Sequence, residues 1–440
     1  MNQLNPHVAN VPQYQTLLGG AVVFTVMGSW VVRLPEFNVI PSFAFLVAVV
    51  VVLAALATVK RWCWARAEAG FGVYFFALAL LLSVLALGAH EPAYSSSRAV
   101  AVSLFSFAAF IAVYRLARYA LGGAVRLHRR VNLGLSVFLI VLLVGYVVSP
   151  DFRGGSGGLR LTGGVNANTV GLYAFVFVVW AVLSRVQQDG QSRSARTLEL
   201  LALFVLFLSF SRAAWLATFV FYLSFYSLGF SWRGFLRPKK KVFLWSGLVL
   251  FGVLTAGSLI ASGAMQPIGQ VVDYLDSRIG GDIQTDGNFQ SRMAAWSLMW
   301  EGFFSSPLVG SFGWYGATHA IAEARGVTEF GASSPHNLHL RLLSEVGLIG
   351  YFSVMAVPVI MMASSLRLAS HHTSRNSRNA AREKKTGLVL FSSIFSLFFA
   401  RELFEDSYLV GMLGFGTVFA LFLFACVLVL KENGRHRKVV

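Results

Sequence analysis

The chain has 440 residues, of which 12% are charged and 56% hydrophobic, and its mean hydropathy is +0.66. Soluble domains carry roughly 25% charged residues, so this composition excludes an ordinary soluble protein. The net charge of +17 suggests nucleic acid at first, but the basic residues lie between apolar runs of about 20 residues, the length of a membrane span. We therefore expect a membrane protein that binds no nucleic acid.

The two ends of the chain and its cysteines add little. The N-terminus has no basic region before its first apolar run, so no cleavable signal peptide is expected. Only two cysteines are present, Cys63 and Cys426, which excludes a disulfide framework.

Twelve apolar runs predict an all-α fold, a polytopic integral membrane protein with about twelve transmembrane helices and one large helical loop. The predicted spans are 17–33, 39–59, 70–89, 99–118, 131–148, 168–186, 197–210, 213–231, 242–262, 343–366, 386–400 and 408–430. Residues 1–261 would form the N-terminal transmembrane part, 262–342 the large loop, and 343–440 the C-terminal spans and tail. The apolar stretch 197–230 is too long for one crossing of a ~30 Å core, so we expect a tight reversal at Ser211-Arg212.

The distribution of Lys and Arg predicts that both termini face the cytoplasm. With that orientation, 26 of the 36 basic residues, including all eight lysines, lie on the cytoplasmic side, as the positive-inside rule expects. The ten outer basic residues are all arginines: Arg33, Arg98, Arg153, Arg160, Arg212, Arg278, Arg292, Arg325, Arg341 and Arg401. Arginine binds phosphate in bidentate fashion, although the excess of Arg over Lys in the whole chain also explains this set.

Two outer segments are candidates for a binding site. The long polar stretch Ala261 to Arg341 is predicted to contain a surface helix at Gln290 to Phe303. Its apolar stripe comprises Met293, Trp296, Met299, Trp300 and Phe303. The glycine-rich loop Ser149 to Val165 can bring backbone amides close to a ligand.

His336 is the candidate general base. Ser334 and Pro335 predict an N-cap and first helical position, which puts His336 on the first turn of a helix at the outer membrane face. A neutral imidazole there can take a proton from a hydroxyl; alternatively it only hydrogen-bonds a loop. His339 shares its side at i+3, but no third His or Cys is nearby, so no metal site is expected.

Three arginines at membrane-facing junctions, Arg212, Arg292 and Arg160, form a candidate site for a phosphorylated lipid. Arg212 either anchors the chain at the headgroups or binds a specific lipid phosphate. The outer loops lack an Asp-x-Asp pair, and Walker and Rossmann glycine patterns are absent. We therefore expect neither metal nor cofactor, with arginines neutralising any bound pyrophosphate. Possible secondary site residues are His339, Asn168, Arg341 and Trp296, where Arg341 and Glu345 at i, i+4 also fit a plain helix ion pair.

An ordered set of short motifs resembles the bacterial O-antigen ligase and polymerase superfamily. The motifs lie at Arg160 to Asn168, Ser211-Arg212, Arg292 to Trp296, Ser306 to Gly316, and Pro335 to Gly350. Each motif is weak alone, and their order and placement in the loops carry the resemblance.

The resemblance implies an inverting glycosyltransferase at the periplasmic face of the bacterial inner membrane, acting in lipopolysaccharide biosynthesis. Its donor would be O-antigen on undecaprenyl pyrophosphate and its acceptor lipid A–core oligosaccharide, with the large loop in the periplasm. By the same resemblance His336 would be the catalytic base, Arg212 and Arg292 would hold the pyrophosphate, and Arg160 would help them.

Two alternatives share the same cationic site. An O-antigen polymerase or a protein O-oligosaccharyltransferase would use the same donor with another acceptor. A non-catalytic transporter of lipid-linked polysaccharide would need the cations but no base. The spans carry no ionisable residue near their middles, which argues against an ion-coupled transporter.

Overall fold

The computed structural model describes residues 66–85, 92–121, 125–154, 160–164, 166–229, 287–314, 316–324, 335–370, 378–405 and 415–439, together with the single residue Val23. The predicted spans 39–59 and 242–262 lie outside the described residues, as does 17–33 apart from Val23. So do Ser334 and, among the outer arginines, Arg33, Arg278 and Arg325.

The described part of the chain is mostly helical, as predicted, with eleven α-helices in it. They are α1 (Arg66–Leu85), α2 (Pro92–Leu121), α3 (Val125–Val148), α4 (Ala167–Gln187), α5 (Arg193–Ser209), α6 (Arg212–Gly229), α7 (Gly287–Ser305), α8 (Gly316–Ala324), α9 (Leu338–Ser370), α10 (Arg378–Ser396) and α11 (Phe415–Val439). Three of these, α3, α4 and α9, are long and apolar enough to cross a membrane by length and composition. The protein is therefore a membrane protein whose full number of spans stays a prediction.

Helix α4 is the centre of the bundle. It is apolar on all sides, which is typical of a helix surrounded by others, and almost every side chain from Val170 to Ser184 is buried. Helices α5, α6 and α10 pack directly against it. Helix α10 in turn packs against α9. Helix α11 packs against α2, so the last helix contacts one of the first described helices.

The apolar stretch 197–230 breaks where the sequence predicts. Helix α5 ends at Ser209 and α6 begins at Arg212, with Phe210 between them in the left-handed conformation at φ 49°. Trp215 fastens the break by donating its indole N–H to the carbonyl of Leu206 at 2.8 Å. Arg212 is thereby fixed at one end of a helix.

The glycine-rich loop is only partly helical, which departs from a purely all-α fold. Pro150–Phe152 form a 3-10 turn, and two short antiparallel strands follow, β1 (Arg153–Gly154) and β2 (Arg160–Leu161). Arg153 donates to the carbonyls of Tyr146 and Val147 at the end of α3. These contacts tie the loop to α3 and place Arg160 near the bundle.

The helix predicted over 290–303 is confirmed as α7, but its apolar residues do not form one stripe. Met299 is buried and Trp296 half-buried against α8 and the start of α9, whereas Trp300 is 41% exposed. The helix therefore has one apolar face in the protein and another on its surface.

A backbone clasp joins α7 to α9. Helix α9 is kinked at Gly347, where φ is 62°. Ser311 and Phe312 donate to the carbonyl of Ser344, and Leu348 and Ile349 donate to those of Pro307 and Leu308, at 2.9–3.3 Å. The clasp therefore joins two motifs that the sequence analysis singled out, 306–316 and 335–350.

The fit of this clasp depends on two glycines with positive φ. A Cβ on Gly310 would lie 2.4 Å from the backbone of Glu345, and one on Gly347 would lie 2.4 Å from the backbone of Leu308. Such distances are impossible without moving the main chain. Only glycine lets the two segments approach this closely.

Candidate functional site

The segment that follows α10 forms the floor of the site. A π-helical turn, Leu397–Arg401, ends the helix, and π turns occur frequently at functional sites. Glu402 is buried and pairs with Arg401 at 2.6 Å, and the Glu402 carbonyl accepts from the backbone N–H of Leu338 at 2.9 Å. The start of α9 is thus fixed to this floor, and Glu405, also buried, faces the residues just before that helix.

His336 lies outside the helix on which the sequence placed it. Helix α9 begins at Leu338, and its N-cap contact comes from Asn337, whose side-chain oxygen accepts from the N–H of Leu340 at 3.0 Å. His336 precedes this cap in the left-handed conformation, with φ 50°. The expectation of a first-turn histidine is therefore wrong, because Asn337 takes the capping role. Strained backbone of this kind clusters at functional sites.

The imidazole of His336 faces the carboxylate of Glu405. Its Nδ1 lies 3.4 Å from Oε2 of Glu405, and the side chain is 34% exposed. An ionised carboxylate only accepts hydrogen bonds, so in the neutral form of the ring Nδ1 carries the proton and Nε2 is the nitrogen left to accept one. The same logic orients the histidine of a catalytic triad.

Electrostatics keep Glu405 ionised. Burial alone would raise the pKa of Glu405, but the hydrogen bond with His336 and the positive charges of Arg401, of His336 when protonated, and of Arg292 outweigh it. The pKa of Glu405 therefore lies below its ordinary value. The carboxylate can accept from several donors at once and fix their positions.

Asn168 of α4 reaches the same carboxylate, and Arg160 of β2 contacts Asn168. The amide of Asn168 donates to Oε1 of Glu405 at 2.6 Å, and its oxygen accepts from Arg160 at 3.0 Å. The Nε of Arg160 donates to the carbonyl of Ser209 at 2.9 Å. Two residues of the early Arg–Asn motif are thus brought together with His336.

Arg292 approaches Glu405 from α7. Its Nη1 donates to the carbonyl of Phe404 at 3.2 Å, and its Nη2 lies 3.9 Å from Oε1 of Glu405. One turn further along α7, the indole of Trp296 donates to the carbonyl of Pro335 at 2.8 Å. Trp296 therefore holds the segment that contains His336, and Arg292 lies beside the carboxylate of Glu405.

Arg212 begins α6 at the same end of the bundle. Ser211, just before it, packs so closely on α4 that a Cβ on Gly171 would lie 2.5 Å from the Cβ of Ser211. Gly171 is one helical turn from Asn168. The exposed Arg212 therefore begins α6 close to Asn168, one of the residues that contact Glu405.

The two remaining candidates have other surroundings. His339 lies between the hydroxyl of Tyr351 at 3.1 Å and the carbonyl of Phe398 at 2.9 Å, one on each ring nitrogen. Arg341 forms the expected ion pair with Glu345 at 3.1 Å, and both side chains are buried. Glu345 also accepts from the backbone N–H of Ala317 at the start of α8, so this pair joins α8 to α9 away from Glu405.

Glu405, the residue on which the site converges, was not predicted from the sequence. Its partners are distant in the chain: His336 is 69 residues away and Asn168 is 237 residues away. One signal was available, the acidic cluster Glu402, Glu405 and Asp406 directly after an apolar run. An acidic group beside a span at the arginine-bearing end indicates a partner for those cations.

The arrangement combines a histidine, oriented to act as a base, with several fixed cations. A proton acceptor beside guanidinium groups suits a reaction in which a hydroxyl attacks and an anion departs. Among the described residues, no group of three or more His, Cys, Asp and Glu side chains is arranged to hold a metal ion. The histidine and guanidinium groups of the site suit a membrane protein that binds an anion beside a proton acceptor.

Comparison with known families agrees with this class. Residues 197–355 match the model of a family described as O-antigen ligase. The match confirms the resemblance predicted from the motifs and supports a function of the O-antigen ligase or polymerase type. It covers a little over a third of the chain, including Arg212, Arg292 and His336, whereas Arg160, Asn168 and Glu405 lie outside it. No curated protein matches the chain.

Proposed function

We propose that the protein ligates O-antigen from undecaprenyl pyrophosphate onto lipid A–core oligosaccharide, at the periplasmic face of the bacterial inner membrane. The observation that carries the proposal is the convergence of His336, Arg292 and Asn168 on the ionised Glu405. An enzyme of this type needs a base for the acceptor and cations for the leaving group, and both are present within one cluster.

The base acts on the acceptor. With Nδ1–H directed at Glu405, Nε2 of His336 takes the proton of an acceptor sugar hydroxyl as its oxygen attacks the anomeric carbon of the donor. The bond between that carbon and the pyrophosphate oxygen breaks at the same time. Attack from the opposite face inverts the anomeric centre, and the proton stays on His336 until it is released to water.

The cations act on the leaving group. Charge builds up on the departing undecaprenyl pyrophosphate, and guanidinium groups fixed beforehand stabilise it at no cost in reorganisation. Arg292 keeps further donor capacity, since its contacts with described residues involve only its two Nη atoms. Arg212 and Arg160 complete the set, and neither metal nor other cofactor has a role in the proposal.

The proposed topology follows from the distribution of charge. Twelve spans, both termini in the cytoplasm and the 262–342 loop in the periplasm put all eight lysines inside. The cluster around Glu405 is then on the periplasmic side. The opposite end of the bundle, where Arg185 pairs with Glu199 and Arg382 with Asp189, is then cytoplasmic.

The other glycosyltransferases of the superfamily differ from this proposal in the acceptor. A polymerase joins one lipid-linked chain to another, and a protein O-oligosaccharyltransferase modifies a protein hydroxyl. A transporter is disfavoured by the His336–Glu405 pair, because moving a lipid requires no oriented base.

The deciding experiment supplies the acceptors one at a time. Purified protein in proteoliposomes receives lipid-linked O-antigen with lipid A–core, with a second lipid-linked O-antigen, or with a hydroxyl-rich acceptor protein. Product with lipid A–core alone supports the ligase. Longer lipid-linked chains identify a polymerase, glycosylated protein identifies the third activity, and no product with any acceptor contradicts glycosyl transfer.

A further inference from the structure

Helix α7 has an exposed apolar stripe opposite its buried face. Ala295 and Met299 are buried against α8 and α9. Met293, Trp300 and Phe304 recur at intervals of seven and four residues on another face, and they are 45%, 41% and 69% exposed. The rings of Trp300 and Phe304 stack with centroids 5.6 Å apart. These three large apolar side chains thus form one outward-facing stripe.

The stripe continues across the clasp onto α9. Leu308 and Val309, just beyond α7, are 63% and 43% exposed. The carbonyl of Leu308 accepts from the N–H of Ile349, which is itself 45% exposed, and Phe352 one turn later is 64% exposed. The apolar surface of α7 and that of α9 therefore meet at the clasp.

Helix α9 changes its surroundings at this point. From Leu338 to Leu348 none of its large apolar side chains is exposed, whereas exposed ones recur from Ile349 to Leu366. The stretch from Ile349 to Ser370 has the length of a membrane span, about 20 residues. The helix is a candidate span, so its exposed side chains beyond the kink face lipid, and the membrane boundary lies near Gly347.

We propose that the stripe Met293–Trp300–Phe304–Leu308 lies in the bilayer leaflet nearest the site, so that α7 rests on the membrane and does not stand in water. Continuity with the lipid-facing surface of α9 identifies bilayer lipid as the occupant. Tryptophan is enriched at this depth, and amphipathic helices bury their apolar face at the boundary between headgroups and acyl chains.

This placement sets the depth of the catalytic cluster. Arg292 is adjacent to Met293 in sequence but turns inward to the carbonyl of Phe404. With the stripe in the acyl boundary, Arg292 and Glu405 lie at the level of lipid phosphates. The contact itself is independent of the proposed function and is tested without measuring ligation.

The test places a fluorescent label at single cysteines in a background where Cys63 and Cys426 are replaced by serine and alanine. The positions are Phe304→Cys and Trp300→Cys on the stripe, Phe352→Cys as a lipid-facing reference, and Glu323→Cys on the exposed end of α8 as an aqueous reference. Full-length protein is placed in nanodiscs of phosphatidylethanolamine and phosphatidylglycerol. An environment-sensitive dye is then quenched by lipid carrying a doxyl group near the headgroup, or by iodide in water.

We expect the labels at 300 and 304 to resemble that at 352, with blue-shifted emission and lipid quenching several-fold greater than at 323. Iodide quenching as strong as at 323 would overturn the proposal, because the stripe would then face water. Shielding from both quenchers, lost when nanodiscs hold one copy instead of two, would also overturn it and identify a second copy of the chain as the occupant. Two stripe positions keep the test decisive if one variant fails to fold.

Discussion

His336 and Glu405 face each other with 3.4 Å between Nδ1 and Oε2. They are 69 residues apart in the chain, because His336 precedes α9 and Glu405 follows α10. The carboxylate is buried and ionised, and the imidazole is partly open to solvent. This relationship assigns separate roles to the two ring nitrogens. In the proposed mechanism the base is His336, which lies just before the N-cap of α9 and not within its first turn.

Replacing Glu405 by glutamine should slow transfer more than it weakens donor binding. Glutamine keeps the size of the side chain but no longer enforces the Nδ1–H tautomer of His336, because its amide can donate as well as accept. We expect kcat to fall by about 10-fold to 1,000-fold, within the range for general-base catalysis, with KM for the donor changing less. Steady-state kinetics with lipid-linked donor measure both. A raised KM for the donor with an unchanged kcat would assign Glu405 to binding alone.

The same substitution predicts a pH-dependent loss of stability. The pKa of Glu405 is lower in the folded protein than in the unfolded chain, so its contribution is present above the ordinary value of about 4.3 and is lost as pH falls through the folded value. Glu405→Gln should therefore melt below wild type at pH 7, with the difference closing below about pH 4. Thermal melting in detergent across this range measures it. A difference in melting temperature that stays the same at low pH would show that the substitution acts through packing and not through charge.

Arg292→Lys should be nearly as damaging as Arg292→Ala, and we expect the same of Arg212. A lysine supplies charge but not the planar fork with which Arg292 contacts the Phe404 carbonyl and Glu405 together. The matched control is Arg153→Lys, an exposed arginine whose side chain, among the described residues, contacts the end of α3. Initial rates of ligation are compared among the variants. Full activity of the Arg212 and Arg292 lysine variants would show that these arginines serve only as point charges or anchors.

Gly347→Ala should destabilise the protein far more than Gly190→Ala. Both glycines have positive φ, 62° and 80°, so both variants carry the left-handed strain of about 1–2 kcal/mol. Only at Gly347 does the new Cβ meet a neighbouring backbone, that of Leu308, whereas Gly190 has nothing within 4 Å. Melting temperature and yield of folded protein measure the difference. Equal effects would mean that the clasp between α7 and α9 yields easily.

A chelator should leave the rate of ligation unchanged. The proposal assigns neutralisation of the pyrophosphate to arginines, so no divalent cation enters the reaction. Ligation is measured in buffer with EDTA and again after added Mg²⁺ or Mn²⁺. A rate that falls with chelator and recovers with one of these ions would overturn the arginine-only account.

Sequence reasoning located the helices well because apolar runs and their polar interruptions are local signals. The break near Ser211-Arg212, the helix α7 and the Arg341–Glu345 pair were all predicted in this way. The residue types of the site were also within reach, since His336, Arg292, Arg160 and Asn168 belong to short motifs.

The geometry of the site was not within reach, because it depends on tertiary contacts. No local pattern reveals that Asn337 displaces His336 from its helix, or that Glu405 collects partners from α4, α7 and the segment before α9. The inward and outward faces of α7 are likewise determined by α8 and the clasp. Periodicity alone groups Trp296 and Trp300 together, whereas packing separates them.

The most direct test of the central claim is ligation by His336→Asn with lipid-linked O-antigen and lipid A–core in proteoliposomes. Asparagine tolerates the left-handed backbone and can hydrogen-bond Glu405, but it cannot take a proton at neutral pH. The account predicts that donor binding persists while ligation falls by at least about 100-fold. Ligation near the wild-type rate in this variant would contradict the assignment of His336 as the base.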